Sequence, residues 1–229
     1  QAGYEIAKEQ FEIPFSTPTA PSLNINSMPP LSVYEEVYQV EITGQDFSIS
    51  FDKTKGTMTS YIYKGKQLVK EGPIPNYWRA PNDNDKGNGM PSRCATWRLA
   101  GLNRQVSDVT VTPLNDKVVK IEVNGNLPTT TPSQYRMTFT IYGSGDVLVD
   151  NVLIPGSKSL PEIPEIGTII TVPEGFENIR WYGRGPQENY WDRNTGADVG
   201  VYSGTVDEQF FPYIESSETG NKTDVRWVT

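Results

Sequence analysis

From Leu31 onward, apolar and polar residues alternate with a period of two. Phe47, Ile49 and Phe51 are separated by polar positions, residues 52–56 read as a turn, and Met58, Ser60 and Ile62 then alternate with Thr59, Tyr61 and Tyr63. Successive strand side chains point to opposite faces, so this pattern predicts a hairpin with one buried face. A second hairpin is predicted from Val109 and Val111, a turn at Asn115-Asp116, and Val119, Ile121 and Val123. A third joins Tyr135, Met137, Phe139 and Ile141, through a turn at 143–146, to Val147, Val149, Asn151 and Leu153. Hairpins in series point to an all-β antiparallel sandwich. One helix is predicted near 92–100, with Arg93, Trp97 and Ala100 facing inward and Gly101 in the left-handed position after its end. Before Leu31 the pattern changes. Residues 1–15 read as a strand without its partners. Residues 16–30 read as an extended linker, with Pro18, Pro21, Pro29 and Pro30 among small polar residues.

Composition narrows the chemistry. The 229 residues carry a net charge of −8, which disfavours nucleic acid and anionic membrane as partners. No apolar run approaches the roughly 20 residues of a membrane-spanning helix, and no signal peptide opens the chain. Gln1 stands where an initiator Met would, so the chain reads as a piece of a longer polypeptide. A single cysteine, Cys94, excludes an internal disulfide and a cysteine zinc cluster. The absence of histidine removes Ser-His-Asp and Cys-His catalysis, and histidine-ligated metals with them.

Two short stretches concentrate polar chemistry. Residues 185–193 place Gln187, Glu188, Asn189, Tyr190, Trp191 and Arg193 behind a turn at Gly185-Pro186. Aromatic faces beside amides and carboxylates suit a sugar. A turn whose aromatics seal a core edge fits the same residues, as do core or interdomain contacts by Trp181, Tyr182, Tyr190 and Trp191. Glu188 and Asp192 resemble a glycosidase pair only superficially. Retaining carboxylates stand about 5–5.5 Å apart across a bound sugar, and neighbours on one turn rarely straddle a ligand. Arg184 and Arg193 are expected to neutralise them in a structural network. The second stretch holds Asn82, Asp83, Asn84 and Asp85. As a calcium loop its register fails, because Lys86 and Arg93 fall at positions five and twelve. A turn held by side-chain to backbone bonds is expected instead, and Gly87, Asn88 and Gly89 would make motion of the following segment cheap. Asn221-Lys222-Thr223 is also a glycosylation triplet, of a kind that arises by chance.

The words themselves add a resemblance. "GPQENYWDR" at 185–193 and "WRAPNDNDKG" at 78–87 resemble signatures of the C-terminal domain of large bacterial β-galactosidases of glycoside hydrolase family 2. Order and spacing fit too, as do "WRLAGL" at 97–102 and a block at 217–227 that ends in Arg226-Trp227 and has Ser216-Ser217 where the family has Pro-Gln. Residues 3–11 look like the last strand of the immunoglobulin-like domain that precedes it. The resemblance implies a large super-sandwich of the galactose mutarotase type, incomplete here, over 31–229. It implies a retaining parent enzyme acting on terminal β-D-galactosides, with both catalytic glutamates in a barrel domain of the same polypeptide and none in this chain. Asn82, Asp83, Asn84, Asp85 and Arg93 become candidates for the active-site mouth. Gln187, Glu188, Asn189, Tyr190, Trp191 and Arg193 become candidates for structural or carbohydrate contact. Mg and Na ions, where the family uses them, are implied mainly elsewhere, with no cofactor or metal here. Bacterial cytoplasm or periplasm stays open for the parent, as does its oligomeric state, with a homo-oligomer compatible with the resemblance. A non-catalytic carbohydrate-binding module is the alternative, and a free-standing sugar epimerase is a third reading that the missing histidines disfavour.

Overall fold

A computed structural model describes residues 7–15 and 23–229. They fall into two compact units, 23–174 and, among the described residues, 7–15 with 175–229. The strand expected over 1–15 and the linker over 16–30 fall partly on residues 1–6 and 16–22, which lie outside the described residues. Residues 7–15 carry no strand, and a 3-10 turn occupies Ile25–Ser27.

In the unit 23–174, β1 (Ser32–Glu35), β2 (Gln39–Thr43), β3 (Phe47–Asp52), β4 (Thr57–Tyr63) and β5 (Lys66–Val69) form a five-stranded antiparallel sheet in chain order. β6 (Glu71–Asn76) leads into two helical turns, α1 (Asp83–Gly87) and α2 (Met90–Arg93). A four-stranded antiparallel sheet follows from β7 (Gln105–Asn115), β8 (Val118–Leu127), β9 (Ser133–Tyr142) and β10 (Val147–Ile154). β11 (Gly167–Thr171) then pairs with β6. The expected alternation builds the core. Phe47, Ile49 and Phe51 of β3, Val119, Ile121 and Val123 of β8, and Tyr135, Met137, Phe139 and Ile141 of β9 are all buried in one cluster. Phe51 and Phe139 meet edge to face across the two sheets, their ring centroids 5.2 Å apart. Each such ring stabilises the fold by about 1.5–3 kcal/mol. The unit is therefore an antiparallel β sandwich.

Two expectations need correction here. Met58, Ser60 and Ile62 do not share a face. Phe51 pairs with Met58 but Ser50 pairs with Ser60, so Thr59 is an extra residue that shifts the alternation. Beyond it Tyr61 and Tyr63, not Ile62, pack on the core. The helix expected near 92–100 is broken into α2 and a 3-10 turn at Ala95–Trp97. Pro91 is the second residue of α2, in the first turn where its missing N–H costs nothing, and Gly89, at φ 74°, supplies the left-handed N-cap. Trp97 and Ala100 are buried as expected, whereas Arg93 is exposed. Gly101 is not left-handed. A Cβ there would lie 1.9 Å from the Pro75 carbonyl oxygen, so glycine is required by close backbone packing.

In the other unit, β12 (Asn178–Gly185) lies between β13 (Asp198–Thr205) and β14 (Trp227–Val228), antiparallel to both. Trp181 is buried beside Tyr202, with ring centroids 5.6 Å apart. The described N-terminal segment runs along β13. Gln10 donates to Val199 O at 2.8 Å and accepts from Val199 N at 2.6 Å, and Lys8 pairs with Asp198 at 2.7 Å. The connection from β12 to β13 carries the 185–193 motif.

Candidate functional site

The 82–93 stretch begins as the start of a short helix, and side-chain to backbone bonds hold it as expected. Asn82 caps α1: its Oδ1 accepts from Asp85 N at 2.9 Å, and Asp85 Oδ2 accepts from Asn82 N at 2.9 Å. The reciprocal pair satisfies two donors that a helix N-terminus leaves free. Arg79 grips the same carboxylate from outside the motif, donating to Asp85 Oδ2 at 2.5 Å and to Oδ1 at 2.9 Å. Burial raises the Asp85 pKa, but the Arg79 guanidinium and the Asn82 N–H outweigh it and hold the carboxyl below its usual range. With both oxygens taken by donors, Asp85 is a structural anion and does not suit a cation. Asp83 lies outward, 3.6 Å from Lys86 Nζ, and Asn84 lies on the exposed side of α1.

Arg93 closes the segment. It donates to Glu162 Oε1 at 2.8 Å from Nε, and to Asn88 O at 2.6 Å from Nη1. Asn88 Oδ1 in turn accepts from Met90 N at 3.0 Å, and Met90 is buried. The glycine-flanked stretch expected to move thus has anchors at Asn88, Met90 and Arg93.

The 185–193 motif is organised around Asn189, whose side chain is fully buried. Its Oδ1 accepts from Thr223 N at 2.9 Å and from Thr223 Oγ1 at 2.5 Å, and its Nδ2 donates to Gln187 O at 3.1 Å. Its backbone is bound as well: N donates to Asn221 O at 2.9 Å, and O accepts from Asn221 Nδ2 at 2.7 Å. The Asn221-Lys222-Thr223 triplet is therefore the partner of the signature turn. Glu188 is equally occupied. Its Oε1 accepts from Arg193 at 3.0 Å and its Oε2 from Gly220 N at 2.9 Å. Neither oxygen is offered to a substrate, in keeping with a structural network. Arg184 serves a different place from the one expected. Its Nε donates to Asp224 at 2.5 Å, and its Nη1 donates to Asn194 O and Ala197 O.

The aromatics of the motif part company. Tyr190 is buried under the Arg193 guanidinium, which lies 4.6 Å from the ring centroid. Burial, then the charges of Glu218 and Glu188, push its hydroxyl up to about 12. Trp191 is 92% exposed. Gln187 donates to Gly196 O at 3.0 Å and closes the turn. The network adds residues that the motif does not contain. Lys222 Nζ stands 5.0 Å from the centroid of the Trp181 ring, and Tyr213 Oη accepts from Arg193 at 3.1 Å. Burial lowers the Lys222 pKa, while the Glu188 charge opposes that shift. Within the sequence, only the position of the 217–227 block hinted at such partners.

Together these features define a β-sandwich segment whose signature side chains hold loops in shape. The family model described as "Beta galactosidase small chain" matches residues 43–229, and the chain belongs to that family. It is similar to the beta-galactosidase of Priestia megaterium (strain DSM 319 / IMG 1521), 45% identical over 228 residues, which cover 100% of this chain and 22% of that protein. The beta-galactosidase of Streptococcus thermophilus is 32% identical over 228 residues, covering 99% of this chain and 21% of the relative. That of Clostridium acetobutylicum is 33% identical over 205 residues, covering 90% and 22%. The chain thus spans about a fifth of the length of these relatives.

Proposed function

We propose that this chain is a non-catalytic accessory segment of a β-galactosidase, from the C-terminal sandwich region of a family-2 glycoside hydrolase. The parent hydrolyses terminal β-D-galactosides with retention, and its acid/base and nucleophile carboxylates stand in a barrel domain of the same polypeptide. The carrying observation is that Glu188 and Asp85, the most buried carboxylates of the two signature loops, accept hydrogen bonds from the protein at both oxygens. A general acid or nucleophile needs an oxygen directed at its substrate. Residues 82–93 are assigned to the active-site mouth and 185–193 to the support of the domain. Residues 1–15 are assigned to the preceding immunoglobulin-like domain and 16–30 to the linker between them. Mg and Na ions, where the parent uses them, belong to the rest of the polypeptide.

Trp191 favours a second reading, a carbohydrate-binding module. An exposed indole on a turn anchored by Asn189 offers a flat stacking face. Galactose titration of the purified chain, followed by tryptophan fluorescence, separates the two. The accessory role expects no saturable change. Saturable binding that disappears in Trp191→Ala supports the module.

A further inference from the structure

A sheet edge with free backbone groups pairs readily with a strand of another molecule, and native proteins keep such edges covered or short. Among the described residues β13 is an edge strand, with its ladder to β12 on one side. The direction of its backbone groups follows from β12. Arg180 N donates to Thr229 O, and Arg180 O accepts from Thr229 N, both at 2.8 Å, so Arg180 turns its main chain to the β14 side. Ile179, Trp181 and Gly183 therefore turn to β13, where they pair with Gly204, Tyr202 and Gly200. Val199, Val201, Ser203 and Thr205 are left with N–H and C=O directed away from the sheet.

Side chains close both ends of that edge. At Val199 the Gln10 amide makes the two bonds that a neighbouring strand would make, with Nε2 donating to Val199 O at 2.8 Å and Oε1 accepting from Val199 N at 2.6 Å. At the far end, Thr205 N donates to Glu208 Oε2 at 2.8 Å, and Thr205 O accepts from Gln209 Nε2 at 3.0 Å. The 3-10 turn Asp207–Gln209 delivers both side chains, and Glu208 N fastens it by donating to Thr205 Oγ1 at 3.2 Å. Between the two closures, the outward groups of Val201 and Ser203 make no hydrogen bond among the described residues. Val201 is 49% exposed. It continues into Tyr182 on β12 and Trp227 on β14, which are exposed as well. The open stretch thus carries an apolar row, the kind of edge that invites pairing.

We propose that Gln10, Glu208 and Gln209 guard β13 against pairing with a second copy of this chain. The register singles out that occupant. The open stretch is centred on Tyr202, with Val201 and Ser203 on either side and the closed residues Val199 and Thr205 equally far beyond them. An antiparallel copy turned about Tyr202 sets Val201 opposite Ser203 of the copy. The same two residues then supply every donor and acceptor on both sides, as a two-fold contact requires. Val199 opposite Thr205 of the copy would lengthen the ladder, but Gln10, Glu208 and Gln209 already hold those groups. What stays open is shorter than the strand pairings that persist in water.

Sedimentation of the purified chain over a range of concentrations tests the guard. With Gln10→Ala, Glu208→Ala and Gln209→Ala combined, self-association is expected to become at least about tenfold tighter than in the unaltered chain. Gln10→Ala alone leaves the Asp207–Gln209 turn intact, and a smaller increase in the same direction is expected from it. Val201→Pro, added to the combined variant, is expected to return association to the unaltered level. It removes an outward N–H, and an edge strand tolerates proline at such a position. Association unchanged in both the combined variant and Gln10→Ala would overturn the proposal. So would added association that survives Val201→Pro, because it would then run through another surface.

Discussion

Glu188 and Arg193 form an ion pair whose two ends stand in different surroundings. The Glu188 side chain is 10% exposed, while that of Arg193 is 50% exposed. Glu188→Ala strands a half-buried Gly220 N–H and removes a charge-assisted bond, so a loss of about 1–3 kcal/mol is expected. Arg193→Ala removes a partner that water replaces, and a loss below about 1 kcal/mol is expected. Denaturant midpoints of the two variants check this, and equal losses would shift the weight from the Gly220 contact to the ion pair. Asp85 carries the clearest pH signature. Its pKa is lowered in the fold from an ordinary value of 3.8, so its stabilisation is complete above that value. It is lost as pH falls through the lower folded value. Asp85→Asn should therefore cost about 1–3 kcal/mol at neutral pH and flatten the acid limb of the stability curve below about pH 4. An unchanged acid limb would mean that Arg79 does not hold the carboxylate.

At the level of elements, Gly101 offers a sharp test. A Cβ at that position meets backbone atoms of Pro75, which cannot swing aside as a side chain can. Gly101→Ala is expected to destabilise by about 1–3 kcal/mol in thermal or denaturant unfolding, and a neutral result would mean that the close approach of 101 to 75 is loose. The same elements show what alternation can convey. The hairpins of β9 with β10, and of β7 with β8 where Val109 to Pro113 face Val123 to Val119, follow from period-two patterns with a turn between the strands. The flip at Thr59 does not, because a bulge is defined by the partner strand and leaves no mark in composition. Trp97 and Ala100 have helical spacing and are buried, yet Pro91 and the left-handed Gly89 divide the segment into single turns. Asn82 and Asp85 have the spacing of a capping box and also that of an Asx turn, and the Arg79 grip depends on where β6 delivers the chain. Asn189 marks itself as an amide in a motif. Its partners Asn221 and Thr223 lie beyond β13, so their contact arises only when β12 is flanked by both β13 and β14.

On the scale of the whole molecule, the chain matches about a fifth of each β-galactosidase relative and belongs to their small-chain family. It has no histidine, and the buried carboxylates of its signature loops are bound within the protein. On the reading proposed above, the sandwich holds loops in place and the chemistry comes from the rest of the parent polypeptide. Hydrolysis of a chromogenic β-galactoside, assayed side by side with the intact protein and with this purified chain at equal molarity, tests that division of labour most directly. The intact protein is expected to turn over, while the chain alone stays at the buffer blank. Turnover that co-purifies with the chain, or an intact protein inert toward β-galactosides, would contradict it.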